Sequence, residues 1–169
     1  MKKVLWSLGM FLCFVVTTNA QEWKVKLGEQ TPKFKIEGKN DKIISSESLK
    51  GKVVLLNFFA TWCPPCRQEL PRLQKEIWED LKANEDLAVF VLGREEGWDK
   101  LDPFMEKHKY TFPIFPDMKR EVFGLFAEQS IPRNVVLDRN GKIIYQSIGF
   151  EDKEFSKMVQ LIKNELEKK

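Results

Sequence analysis

The sequence predicts an α/β fold, a central mixed β-sheet flanked by helices on both faces, and three stretches carry that expectation. Val53 to Phe59 is an almost unbroken apolar run rich in β-branched and aromatic residues, the composition of a strand covered on both faces. From Cys66 the apolar positions change to helical spacing through Leu70, Leu73, Ile77 and Leu81, and Leu87 to Leu92 reads as a second buried strand. That order implies a right-handed parallel crossover. Downstream, Asn140-Gly141 lies between the alternating runs 134–137 and 142–148, a hairpin signal because both residues tolerate positive φ. A parallel unit and an antiparallel hairpin in one domain make the sheet mixed.

The remaining elements follow in order. Lys2 and Lys3, the apolar stretch Val4 to Val16 and the small residues around Thr18-Asn19-Ala20 read as a secretory signal, residues 1–20, cleaved before Gln21. An uncleaved membrane anchor is the alternative, for which the apolar run is short of the roughly 20 residues a span needs. Cys13 follows bulky Leu12 and has apolar residues beyond it, which does not suit a lipidation site. Val25 to Leu27 and Phe34 to Ile36 are expected as short extended pieces, Gly38 to Asp41 as a turn, and Ser46 to Lys50 as one helical turn ended by Gly51. Trp98 to Lys109 is expected as a helix with Pro103 in or near its first turn, Phe112 to Phe115 as an extended segment, and Lys119 to Phe126 as another helix. Glu151 to Lys169 closes the chain as an amphipathic helix.

A chain of 169 residues with 43% hydrophobic side chains supports one sizeable core, so residues 21–169 are expected to form a single domain with a short N-terminal extension. The net charge of +3 includes Lys2 and Lys3, and the other charges are scattered, which argues against nucleic acid as a partner.

Once the signal is removed, two cysteines remain, Cys63 and Cys66, in a C-x-x-C spacing and in a compartment that permits disulfides. They sit where a buried strand turns into a helix. Pro64 and Pro65 fall at the first helical positions, where a missing N–H costs nothing and the fixed φ is already helical. Cys63 is thereby placed at the helix N-terminus, where unpaired N–H groups and the helix dipole favour a thiolate. Cys66 lies one turn on, more buried. The chemistry expected is attack by Cys63 on a substrate disulfide and resolution of the mixed disulfide by Cys66. Three alternatives are weaker. A zinc site wants four ligands, and His108 is the one further soft ligand, so no metal is expected. A structural bridge this short would constrain the unfolded chain little. A peroxidatic cysteine would want Thr where Ala60 stands.

The segment Phe58-Phe59-Ala60-Thr61-Trp62-Cys63-Pro64-Pro65-Cys66 resembles the thioredoxin active-site segment, in the form seen in TlpA/ResA-like exported proteins. The resemblance extends to Thr31-Pro32-Lys33-Phe34, to Ser48-Leu49-Lys50-Gly51-Lys52, to Ile131-Pro132 as the family's cis-proline, and to 137–142 as its final hairpin. It implies a thioredoxin-like fold for 21–169. It also implies that Pro132 shapes the site, that Ile131 contacts substrate, and that Glu69 shuttles a proton for Cys66. The plainer alternative for Glu69 is a solvated glutamate paired with Arg72 or Arg67. Thioredoxin's buried aspartate is replaced by Asn57, which cannot accept a proton and is left a hydrogen-bonding role. Trp62 is expected to cover the dithiol and offer apolar contact surface. His108, the loop Gly93 to Glu96, Trp78 and Trp98 are expected to be ordinary surface or packing residues.

The function expected is reduction or isomerisation of exported protein disulfides by a monomer with no bound cofactor, recharged by a membrane thiol donor in the periplasm or another extracytoplasmic space. A dithiol oxidase with the same residues, and a redox-inert client-binding module, stay open as alternatives.

Overall fold

A computed structural model describes residues 23–168, so the expected signal segment 1–20, Cys13 and the cleavage point before Gln21 lie outside the described residues. Five strands form the main sheet. They are β3 (Val53–Phe59), β4 (Leu87–Arg94), β5 (Ile114–Asp117), β6 (Arg133–Leu137) and β7 (Ile143–Ile148), whereas β1 (Lys35–Glu37) and β2 (Ile43–Ser45) pair separately. The spatial order is β5-β4-β3-β6-β7. β3 pairs parallel to β4 and β4 parallel to β5, whereas β3–β6 and β6–β7 are antiparallel. The two parallel crossovers run through α1 (Pro64–Arg72) and α2 (Trp98–His108). The short α3 (Phe123–Phe126) precedes β6, and α4 (Asp152–Glu167) ends the chain.

β3 is central, and all seven of its residues are buried. Its side chains alternate between two cores. Val53, Leu55 and Phe59 join Leu70, Leu73, Ile77, Leu101, Phe155 and Ile162 from the α1, α2 and α4 side. Val54, Leu56 and Phe58 join Phe34, Ile36, Leu49, Phe123 and Phe126 on the opposite face. On that second face Phe58 packs edge-on against Phe123 at 5.4 Å between ring centroids. Helical and extended segments thus cover both faces, as the unbroken apolar run of β3 requires.

Three local expectations are corrected. Val25 to Leu27 is not a strand: single bridges at Trp23–Ala127 and Gln30–Lys142 bracket a turn through Gly28 (φ 87°), and Val25 is apolar because it docks on the second core. The helix expected over 119–126 is confined to 123–126. Arg120 takes a left-handed φ of 58°, and the Asp117 carboxylate accepts the Val122 and Phe123 N–H groups, starting the helix later. The 138–141 turn has positive φ only at Gly141 (78°), and the Asp138 side chain accepts the Asn140 and Lys142 N–H groups. The helical stretch after Cys66 also widens into π-helical winding over Leu73–Glu79. This begins two residues after Pro71, which has no N–H for the preceding turn.

Gly93, opposite Phe59 in the β3–β4 ladder, is crowded by α2. A Cβ placed there would lie 2.6 Å from Leu101 Cδ2, and Leu101 is fully buried, so its side chain must shift within the core. Gly93→Ala is expected to lower unfolding free energy by about 1–3 kcal/mol through overpacking, measured by urea denaturation. An unchanged midpoint would show that Leu101 has room the packing does not reveal.

Candidate dithiol active site

β3 stops at Phe59, and the Ala60 carbonyl accepts the Cys63 N–H at 3.1 Å, turning the chain into α1. Cys63 is the N-cap of α1, with extended backbone (φ −78°, ψ 114°), and its Sγ accepts the Cys66 N–H at 3.4 Å. Pro64 and Pro65 occupy the first helical positions. Cys63 and Cys66 are joined as a disulfide. Both residues are nearly inaccessible, 3% and 0% exposed, whereas neighbouring Trp62 is 62% exposed and forms the open apolar surface beside them. The Ile131–Pro132 peptide bond is cis, and the Ile131 carbonyl oxygen lies 3.7 Å from Cys63 Sγ. Structure therefore gathers Trp62, Cys63, Pro64, Pro65, Cys66, Ile131 and Pro132 into one site, although Ile131 is 68 residues away in sequence.

Glu69 lies one turn beyond Cys66 and is 1% exposed, so the solvated pairing with Arg72 or Arg67 is not what forms. Arg72 instead pairs with Glu76 one turn on and clips α1 to α4 through Asp152 and Ser156. Glu69 Oε1 accepts from Asn57 Nδ2 at 2.5 Å, and both its oxygens accept from Asn134 Nδ2 at 3.1–3.2 Å. Burial pushes the Glu69 carboxyl up to about 7, against the opposing pull of the Asn134 and Asn57 amides. The two amides are directly opposite each other in the β3–β6 ladder, and Asn134 is in turn opposite Ser147. Asn57, Asn134 and Ser147 thus form a polar row across the sheet beneath the dithiol helix, linked by Asn57 Nδ2 to Asn134 Oδ1 (2.8 Å) and Asn134 Nδ2 to Ser147 Oγ (3.3 Å).

Sequence reasoning missed three residues here. Asn134 carries no pattern of its own inside an apolar strand. Arg133 follows Pro132, is fully buried, and donates Nε to the Gln129 and Ser130 carbonyls (2.9 and 3.1 Å) with its guanidinium 4.3 Å over the Trp23 ring, bracing the segment before the proline. Glu96, expected in a solvated loop, is buried and bonded to Thr61. His108 is half-buried between Phe104 and Tyr110, at 4.6 and 5.4 Å, and burial lowers its pKa. Trp78 donates to Thr111, and Trp98 lies under Lys39. No cluster of metal-ligating side chains occurs among the described residues.

Comparison with known proteins places this geometry. A model of the AhpC/TSA family matches residues 27–146. The thioredoxin-like protein YneN of Bacillus subtilis is 33% identical over 150 residues, covering 82% of this chain and 86% of that one. The thiol–disulfide oxidoreductase ResA of Bacillus anthracis is 30% identical over 135 residues, covering 80% and 77%. The chain belongs to the TlpA/ResA-like thioredoxin family. Solved structures agree with that placement. A candidate protein disulfide isomerase from Bacteroides thetaiotaomicron superposes with a TM-score of 0.82 at 36% identity over 86% of this chain and 93% of that one. StoA from Bacillus subtilis superposes with a TM-score of 0.62 at 26% identity, over 76% and 96%. This TlpA/ResA-like protein is accordingly a protein thiol–disulfide oxidoreductase of thioredoxin fold, and its Cys63–Cys66 pair fits dithiol exchange.

Proposed function

We propose that the protein reduces or isomerises disulfides of exported proteins outside the cytoplasm, taking its electrons from a membrane thiol donor. The observation that carries this is the pairing of an N-capping Cys63 with a buried carboxyl one helical turn beyond Cys66. In the reduced state the Cys63 thiolate, held by the Cys66 N–H and the helix N-terminus, attacks one sulfur of a substrate disulfide. The substrate S–S bond breaks, a Cys63–substrate bond forms, and the first substrate sulfur leaves as a thiolate that takes a proton. Glu69 accepts the Cys66 proton, and the Cys66 thiolate attacks Cys63 Sγ, releasing the second substrate thiol and closing the Cys63–Cys66 disulfide. Two electrons pass from enzyme to substrate, and the exchange itself uses only thiols and a carboxyl. Ile131 and Pro132 receive the substrate backbone beside Cys63, and exposed Trp62 supplies apolar contact. The signal-like pattern of residues 1–20 supports export, and no helix among the described residues is long and apolar enough to cross a membrane.

The test is the equilibrium of the dithiol in defined glutathione buffers, read by alkylation and mass. A potential near thioredoxin's roughly −270 mV supports the reductant. One near DsbA's roughly −120 mV makes the protein an oxidase and overturns the direction.

A further inference from the structure

Glu96 lies in the β4–α2 loop, 6% exposed, just after Glu95 takes a left-handed φ of 63° and turns the chain. Its carboxylate is aimed at the active-site turn. Oε2 accepts the Thr61 backbone N–H at 2.8 Å, and Oε1 accepts the Thr61 hydroxyl at 2.6 Å. Both partners donate, so both oxygens act as acceptors, a two-point grip on a residue two positions before Cys63. Thr61 is half-buried and lies beyond the end of β3, so its N–H has no ladder partner and Glu96 supplies its acceptor. Neighbouring charges do not compete for the grip: Arg94 pairs with Glu95 at 2.9 Å and lies 5.4 Å from the Phe123 ring, and Asp117 caps α3.

We infer that Glu96 is a positioning residue for the nucleophile, holding the 60–63 turn so that Cys63 Sγ stays against the Cys66 N–H. This rests on Cys63 being the attacking thiol. Without the grip, the turn is free to swing Sγ away from the N–H that it meets at 3.4 Å, and the thiolate loses a donor. The carboxylate charge acts in the opposite sense, because a nearby negative charge disfavours a thiolate. The two effects are therefore separable.

Four variants, Glu96→Ala, Glu96→Gln, Thr61→Val and Thr61→Ser, are compared for rate of disulfide reduction, pH profile of Cys63 alkylation and melting temperature. Glu96→Ala is expected to slow reduction at pH 7 about tenfold, the size of a lost hydrogen bond to a charged group. It should also move the alkylation midpoint to higher pH. Thr61→Val, which keeps the charge and loses one bond, should move it the same way by less, and Thr61→Ser should match the parent. Two results overturn the inference. One is a lower melting temperature in Glu96→Ala with rate and profile unchanged, a merely structural role. The other is a midpoint falling in both Glu96 variants while Thr61→Val matches the parent, an effect of charge alone. Retained exchange in Cys63→Ser would instead remove the reading on which the inference rests, so the two failures are distinguishable.

Discussion

Cys63→Ser abolishes disulfide reduction, lowering the rate by at least about a thousandfold, whereas Cys66→Ala stops the cycle with substrate covalently held on Cys63. The asymmetry follows from the helix start. Cys63 caps α1 and borders the open surface made by Trp62 and the Ile131 carbonyl, so it is the sulfur an incoming disulfide meets. Cys66 is wholly inaccessible and lies one turn along, placed to attack Cys63 rather than solvent-borne substrate. A hydroxyl at 63 leaves no thiolate within reach of substrate, and loss of the thiol at 66 removes only the resolving step. Mass analysis of each variant with a disulfide-bonded peptide tests this. A stoichiometric adduct is expected with Cys66→Ala and none with Cys63→Ser. Adduct formation on Cys66 in the Cys63 variant would reverse the assigned order of attack.

The second large effect concerns pH. The Glu69 carboxyl stands at about 7 in the fold against 4.5 as its ordinary value, with burial the leading cause. A carboxyl raised in this way favours the fold when protonated. Its contribution is fully present below about pH 4.5 and is lost as pH rises through about 7, where folding must bury a charge. The difference of roughly 2.5 pH units corresponds to about 3 kcal/mol. Glu69→Gln does not titrate. The stability of the variant relative to the parent, both in the disulfide form, is therefore expected to improve by about 3 kcal/mol between pH 4 and pH 8. Urea denaturation at the two pH values measures it. On the proposed role of Glu69 as acceptor for the Cys66 proton, the same substitution should slow release from the mixed disulfide and remove its inflection near neutral pH. A stability gap independent of pH, together with unchanged release, would return Glu69 to the role of an ordinary helix residue.

What could be read from the sequence was whatever a short window of residues determines. The bounds of β3 coincide with the apolar run because a strand buried on both faces needs no alternation and polar Lys52 precedes it. The dithiol was legible because Cys63, the two prolines and Cys66 define a helix start locally. The hairpin was legible in existence but not in turn type, since the Asp138 side chain, rather than Asn140, shapes the backbone. Glu69 could not be placed by spacing alone, because a position on the edge of a helical stripe is buried or solvated according to what lies opposite. Here that is a pair of amides 12 and 65 residues away. Glu96 was illegible for the same reason: its partner is 35 residues earlier, and a charged residue after a strand usually meets water. Val25 misled because docking onto a sheet face selects apolar residues as strand formation does.

The mixed pairing of β3 gives the molecule two unlike poles. Because β4 runs parallel to β3 and β6 runs against it, the C-terminal ends of β3 and β4 and the start of β6 meet at the dithiol, while the β6–β7 turn falls at the other end of the sheet. Arg139 and Gly51 bond there, the Gly51 N–H reaching the Arg139 carbonyl at 2.8 Å, so Asn140 sits beyond the first residue of β3. Seven strand residues, roughly 20 Å, separate it from the chemistry. A fluorophore, an affinity handle or a solid support attached at Asn140 therefore leaves the opposite pole unobstructed, and gives immobilised molecules a common orientation toward whatever solution flows past them.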